Sequence, residues 1–379
     1  MQNIPRDNDP WLSILLPVFN VAPWLRQCLD SILSQQPLAD VEVLLLDDAS
    51  TDGSRAICEE YCTLHPDTLR LLSHGRNTGV SVSRNDLLDA ARGRYVWFVD
   101  PDDEMQAGAL TALRNIVLQH SPDLILCDFR TIGEDGRRGG RYISTFQGPT
   151  GRLLTDRETL LQGLFARGRM QAWTKVARRR LWGTDLRYPV GRYFQDIPVS
   201  SRLCLRAHSF YHCQQPWMHY RERPGSAMSS NRHWRADGWF DVRKNDDLAV
   251  AMQGYWDQVR AALPDVSARS AYAVGTFCSR KFTQIGSRLL VFSRRREGWT
   301  AARQQLRRYR SMMEAASPLP FWRVAMAHLL RGNLRRGMEL AAFVALSMRW
   351  SSAAAIVPRQ PAVQPRVASG QRGDQQRAA

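Results

Sequence analysis

The stretch Tyr95–Met105 reads YVWFVDPDDEM. A hydrophobic run leads straight into Asp100, Asp102 and Asp103, with Glu104 behind them. Carboxylates within about 4 Å of one another repel by roughly 4 kcal/mol per pair at an effective dielectric near 20. A cation relieves that repulsion, and hard oxygen donors favour Mg²⁺ or Mn²⁺. These ions are commonly held by one or two protein carboxylates together with substrate phosphates. The turn therefore suggests a divalent ion bridging to a diphosphate. The competing reading is a helix cap, with Asp102 or Asp103 capping the following ALTALRNIV segment. Capping needs one aspartate, not three.

Three further stretches carry candidate chemistry. DDASTDGS (Asp47–Ser54) spaces Asp48, Ser50, Asp52, Gly53 and Glu59 like part of a calcium-binding loop. Such a loop needs a helix in front, however, and VEVLLL has strand composition. The better reading is a strand-to-helix turn in which Asp48 accepts from a ligand N–H and Ser50 or Thr51 caps the next helix. In GRNTGVSVSRN (Gly75–Asn85), Arg84 could meet a phosphate. In RYFQDIPVSSRL (Arg192–Leu203), Asp196 lies between aromatics and an apolar run, where it could act as a general base or cap a helix. In AWTKVARRRLW and HYRERPGSAMSS, the residues Trp173, Lys175, Tyr220, Arg221 and Arg223 could line a polar, aromatic sugar site. They could equally be core and surface.

Something must hold these groups together. LSILLPVFN, VEVLLLDD, LRLLSH, RYVWFVD and DLILCDFRT read as buried strands. Between them, PWLRQCLDSILSQ, STDGSRAICEEYCTLH, VSVSRNDLLDAARG and ALTALRNIVLQH have helical spacing. Pro23 suits a first helical turn, and Gly93 reads as a helix stop. Alternation of this kind implies a mainly parallel sheet covered by helices, with ligands outside the carboxyl ends of its strands. Asn20, Asp47 and Asp48, and the Asp100–Asp103 turn all stand at such ends and should converge on one crevice. Gly133–Gly151 reads as an exposed hairpin or loop, and 235–350 as mostly helical. The tail from Pro358 reads as disordered.

The chain has 379 residues, 44% hydrophobic and 23% charged, which suits one large or two modest domains. Its seven scattered cysteines lack zinc spacing and fit a reducing cytoplasm. The N-terminus has no apolar h-region, so no signal peptide is expected. The net charge of +16 is concentrated late: from Arg280 onward 19 basic residues face 4 acidic ones. Such a basic face could meet nucleic acid or an anionic membrane surface, or be a plain solvated surface, and no nucleic-acid-binding motif accompanies it. MELAAFVALSM is too short to cross a bilayer.

Taken in order, LPVFN, DDASTDGS, NTGVSVSRN, FVDPDD, WTKVARR, YFQDI and YRERPGS resemble the family 2 glycosyltransferases of GT-A fold. The resemblance covers about residues 10–230. It implies an α/β domain there, with a mainly parallel Rossmann-like sheet flanked by helices. A basic helical region (231–357) and a tail (358–379) would follow. Pro17, Phe19 and Asp48 would hold the base and ribose of a nucleotide-sugar donor. Asp100 and Asp102 match the D-x-D motif. Asp102, with Asp103, would bind Mg²⁺ or Mn²⁺, and Arg84 would stabilise the departing diphosphate. Asp196 matches the catalytic base of an inverting transfer. Gln195 stands where a glutamate is frequent, a departure that bears on acceptor contacts. Trp173, Lys175, Gln195, Tyr220 and Arg221 fall at the acceptor side. No Q-x-x-R-W follows Asp196, so one sugar per cycle is expected. The acceptor would be a glycan or lipid-linked glycan at the cytoplasmic face of the inner membrane. The alternatives are a sugar-1-phosphate nucleotidyltransferase, for which an early Gly-rich loop is missing, and a catalytically silent glycan-binding module.

Overall fold

A computed structural model describes residues 9–137, 139–223, 243–293 and 298–348. The two most apolar strands, β1 (Leu12–Val18) and β2 (Val41–Asp47), are buried along their whole length. They pair in parallel, as continuous apolar runs must when helices cover both faces. β3 (Leu69–Ser73) joins β2, and β4 (Tyr95–Phe98) joins β1, both in parallel. The intervening helices are α1 (Ala22–Leu33), α2 (Ser54–Leu64) and α3 (Val80–Ala90). After the carboxylate turn come the two-residue β5 (Glu104–Met105), α4 (Ala109–His120) and β6 (Leu124–Ile132). The hairpin expected near Gly133–Gly151 contains β7 (Tyr142–Ile143), paired antiparallel with β6.

Then follow β8 (Leu153–Leu154), α5 (Arg157–Arg167), β9 (Lys175–Arg178), α6 (Asp196–Arg206) and β10 (Phe210–Arg221). The main sheet runs β3-β2-β1-β4-β9-β6-β10-β5. β9 is antiparallel to both β4 and β6, so it wedges into an otherwise mainly parallel sheet. Alternate side chains of β1, β2 and β4 feed two cores. Ile14, Leu16, Val43 and Leu45 pack with α1 and α4, whereas Leu15, Leu44, Leu46 and Phe98 pack with α3, α5 and α6.

The second core does not stop at the sheet. It runs on into the C-terminal helices α7 (Arg243–Val250), α8 (Tyr255–Ala262), α9 (Ala268–Ser293), α10 (Gly298–Ala315), α11 (Phe321–Leu330) and α12 (Leu334–Leu346). Phe277 and Phe282 of α9 and Phe343 of α12 are buried inside it. Met1–Ser347 therefore forms one compact unit. The expected boundaries at 230/231 and 357/358, and the tail, lie outside the described residues.

Gly93 corrects one expectation. α3 ends at Ala90 with Ala91 in extended conformation, so no left-handed glycine stops it. A Cβ on Gly93 would lie 2.5 Å from the Ser13 backbone nitrogen. The glycine is there for close approach: its N–H reaches Ser13 Oγ at 2.8 Å, beside the buried Glu42 carboxylate.

Candidate active site

Asp100, Asp102 and Asp103 occupy a tight turn just past β4, closed by the Asp103 N–H donating to Asp100 O at 3.1 Å. No carboxylate there caps a helix. α4 begins beyond them behind Gly108, whose φ of +81° supplies the N-cap geometry. The turn is held from beneath by Arg221, at the end of β10. Its Nε donates to Asp102 O at 2.9 Å, its backbone N–H to Asp103 Oδ1 at 2.8 Å and its Nη2 to Gln27 Oε1 at 2.8 Å. At 1% exposure Arg221 is a buried strut beneath the turn.

Asp103 is likewise turned inward, at 1% exposure, with Oδ2 buried and unpartnered. Burial, reinforced by Asp102 and Asp100, pushes its carboxyl well above the usual range. Of the residues expected to hold a metal, Asp102 is partly exposed and Asp103 is buried, and Asp100 beside them is partly exposed too. Asp100 is pushed up to about 6, chiefly by burial, with Arg84 pulling against it and Asp102 and Asp196 adding to it. Arg223 donates to Asp102 Oδ2 at 2.7 Å and lies over the Trp24 ring at 4.3 Å.

Arg84 ties the site together. From the middle of α3, its Nη2 donates to Asp100 Oδ1 at 2.9 Å and its Nη1 to Asp196 Oδ1 at 2.7 Å. The guanidinium lies over the Tyr188 ring at 5.2 Å and is buried. Two carboxylates already compensate its charge, so it acts as a bridge rather than the open phosphate contact expected of it. Asn85, the next residue, clamps the Tyr188 backbone with two hydrogen bonds of 2.8 and 3.0 Å, fixing that ring under Arg84. Asp196 opens α6, where the helix dipole favours an anion. Phe194, two residues earlier, has φ of +57°, and Gln195 makes no side-chain cap bond. Asn20 (φ +50°) and Ala49 (φ +58°) are similarly placed just past β1 and β2. Non-glycine residues in this region store strain of order 1 kcal/mol or more each and cluster at functional sites.

Asp48 is at the end of β2, one strand beyond β1 from β4, hence about 10 Å from the Asp100 turn by strand spacing. It does not present an open carboxylate. Thr78 N–H at 2.9 Å, Thr78 Oγ1 at 2.9 Å and His74 Nδ1 at 2.7 Å all bind Oδ1, while Gly79 N–H reaches Oδ2 at 2.8 Å. Burial opposes its charge, but these bonds prevail and hold its carboxyl below the usual range. His74 also bonds Asp86 at 2.9 Å; burial lowers its pKa, and the two carboxylates more than reverse this. The helix after β2 is not tied by Ser50 or Thr51. Asp52 accepts from Ser54 N–H at 3.0 Å and from Ala22 N–H at 2.9 Å, joining α2 to α1. Pro17 is buried in β1, and Phe19, at 43% exposure, offers its ring at the strand end.

The residues expected at the acceptor side divide. Trp173 is core: 1% exposed, stacked on Tyr220 at 5.6 Å, with its carbonyl accepting from Trp97 Nε1. Lys175 is buried, and its Nζ donates to Arg169 O, Gln171 O and Thr174 Oγ1 at 2.9–3.0 Å. Burial lowers it to about 8, against the pull of Asp196. Gln195 and Tyr220 are partly exposed. NTG ahead of a helix was the signal that could have placed Thr78 and Gly79 against Asp48; no local signal marks Tyr188.

Among the described residues no group of three His, Cys, Asp or Glu side chains could cage a metal. Two partly exposed carboxylates on one turn do fit Mg²⁺ or Mn²⁺, which complete their shell with phosphate and water.

Residues 13–180 match the family model described as glycosyl transferase family 2. That match takes in under half of the chain. The chain is 27% identical over 224 residues to the glycosyltransferase GlyA of Streptococcus pneumoniae, spanning 58% of this chain and 31% of that protein. It is 31% identical over 222 residues to the uncharacterized glycosyltransferase EpsJ of Bacillus subtilis, spanning 57% and 62%. The match thus takes in under two thirds of either relative. In fold, the crystal structure of S. aureus TarS 1-349 aligns over 89% of this chain and 90% of its own, with TM-score 0.64 at 20% identity. The likeness therefore extends from the sheet into the C-terminal helices. The same TarS segment in complex with UDP-GlcNAc aligns with TM-score 0.50, 21% identity, and coverage of 80% and 90%. No helix among the described residues is long and apolar enough to cross a membrane.

Proposed function

We propose that the protein is an inverting glycosyltransferase. It moves one sugar from a nucleotide-diphosphate sugar, UDP- or dTDP-linked, to a hydroxyl of a growing surface glycan such as lipopolysaccharide core, O-antigen, capsule or exopolysaccharide. The acceptor is carried at the cytoplasmic face of the inner membrane. The observation that carries this reading is the Arg84 bridge, which joins Asp100 on the donor side to Asp196 on the acceptor side.

In this reading the donor base stacks near Phe19, and its sugar diphosphate points toward the Asp100–Asp102 turn. A divalent ion held by Asp100 and Asp102 would neutralise the diphosphate. Arg84 holds Asp196 by Oδ1 alone, which leaves Oδ2 to take the proton of the acceptor hydroxyl. The hydroxyl oxygen then forms its bond to the anomeric carbon as the bond to the diphosphate oxygen breaks, with inversion. General-base assistance of this kind is worth about 10²–10⁴-fold. Binding of UDP-GlcNAc by TarS supports a uridine nucleotide as the first donor to try. Asp196→Asn should lower donor turnover in the presence of Mn²⁺ by about 10²-fold or more while thermal stabilisation by UDP is retained. Equal turnover in variant and wild type would overturn the assignment of the base.

A further inference from the structure

A cavity of about 920 Å³ lies between α5 and the C-terminal helices, and none of the carboxylate-turn residues lines it. Arg269, Arg280, Arg331 and Arg336 line it, together with His328 and Thr276. Among the described residues none of these four guanidinium groups is paired with a carboxylate, whereas Arg26, Arg84, Arg187, Arg206 and Arg221 all are. Arg280 forms the floor and donates to the Phe165 and Ala166 carbonyls at 2.6 and 3.2 Å. Thr276 Oγ1 is a buried polar atom with no partner. Arg331 lies over the Tyr272 ring at 3.7 Å. One carboxylate, Glu158, borders the cavity through Gln162, and it is satisfied by Ser267 N–H at 3.0 Å and by the Ser270 hydroxyl. Burial, then Arg336, Arg280 and Arg331, lowers the pKa of His328, as expected where positive charge is uncompensated.

The same helices expose an apolar stripe. Trp322, Met326 and Leu330 recur every fourth residue on α11 and are 48%, 49% and 83% exposed; Leu334 and Met338 continue it on α12. The two runs meet at the turn that supplies Arg331 and Asn333 to the cavity. The hairpin also carries Arg323, Arg335 and Arg336 against a single acid, Glu339. An apolar stripe flanked by cations is the pattern of a helix lying in a bilayer interface.

We infer that the α11–α12 hairpin docks on an anionic bilayer, its stripe entering the interface while the arginine cavity receives the phosphate of a lipid headgroup. The inference rests on the membrane-side reading above only in its choice of a lipid as the source of the phosphate. It is tested with the full chain by sedimentation with phosphatidylglycerol/phosphatidylcholine vesicles, and with inorganic phosphate as the soluble probe. Binding to the mixed vesicles is expected, with little to phosphatidylcholine alone. Arg331→Ala with Arg336→Ala should weaken it about 30-fold, as two charges near an anionic surface imply. Met326→Glu with Leu330→Glu, both at exposed positions, should abolish it. Donor hydrolysis by these variants should equal that of wild type, which separates failure of docking from failure of the transferase reading. Vesicle binding unchanged in both variants would overturn the proposal. So would thermal stabilisation by inorganic phosphate without vesicle binding.

Discussion

The ionisation of Asp100 gives the sharpest test of the carboxylate turn. Its pKa of about 6 is well above the ordinary 3.8 because burial disfavours the charge and two further carboxylates face it. The native state therefore holds this proton more tightly than the unfolded chain. The group's favourable contribution is complete below about pH 4 and is lost as pH rises through about 6. Above that, the native state carries the charge at a cost of about 3 kcal/mol, since each tenfold difference in proton affinity between the folded and unfolded chain is worth about 1.4 kcal/mol. Asp100→Asn removes that cost and also removes one of two partners from Arg84, which keeps Asp196. The net gain expected at pH 8 in EDTA is about 1–3 kcal/mol. For a cooperative unit of about 350 residues, the unfolding entropy is about 0.7 kcal/mol/K, so Tm should rise by about 1–4 °C. At pH 4.5 the difference should shrink toward zero or reverse. The assay is thermal unfolding followed by circular dichroism at both pH values, with donor turnover measured alongside and expected to collapse. A variant less stable than wild type by the same amount at both pH values would refute the reasoning. It would mean that the Arg84 pair, not the crowding of charge, governs the turn.

Two further outcomes follow from the site and its scaffold. His74 has a raised pKa, so its contribution through Asp48 and Asp86 is present below about pH 6.5 and lost as pH rises above it. His74→Gln should flatten the stability profile between about pH 6 and 8, as read by urea unfolding. Gly93→Ala forces a Cβ to within 2.5 Å of the Ser13 backbone and should destabilise by about 1–3 kcal/mol in the same measurement, without shifting KM for donor.

Much of the architecture was legible because it is local. The apolar runs of β1, β2 and β4 and the helical spacing between them dictate parallel pairing, and polar residues stand at the strand ends where a ligand would bind. Asp100 and Asp102 were singled out by the same logic, whereas Asp196 took its expected role from the family resemblance. What was not legible depends on distant partners. Asp48 looked open because Thr78 and Gly79, which occupy it, arrive from another element. Lys175 looked like a ligand-binding cation, yet it is closed off by two carbonyls and a hydroxyl of its own loop. Gly93 looked like a helix stop because the close passage of Ser13, eighty residues away, leaves no local trace. β9 is a four-residue strand, KVAR, whose place between β4 and β6 is decided by sheet closure rather than by its composition.

The Arg84 bridge has a consequence for building chimeras. In the proposed function the donor half of the site comes from residues up to the Asp100–Asp103 turn and the base from a segment far downstream, and the Arg84 guanidinium bonds a carboxylate of each. Transplanting the Tyr188–Arg206 segment from a relative, to change which acceptor is glycosylated, would carry over a new base and a new aromatic floor at once. Such a graft can be productive only if it returns both an aspartate at position 196 and a flat ring at position 188 to the arginine that waits for them.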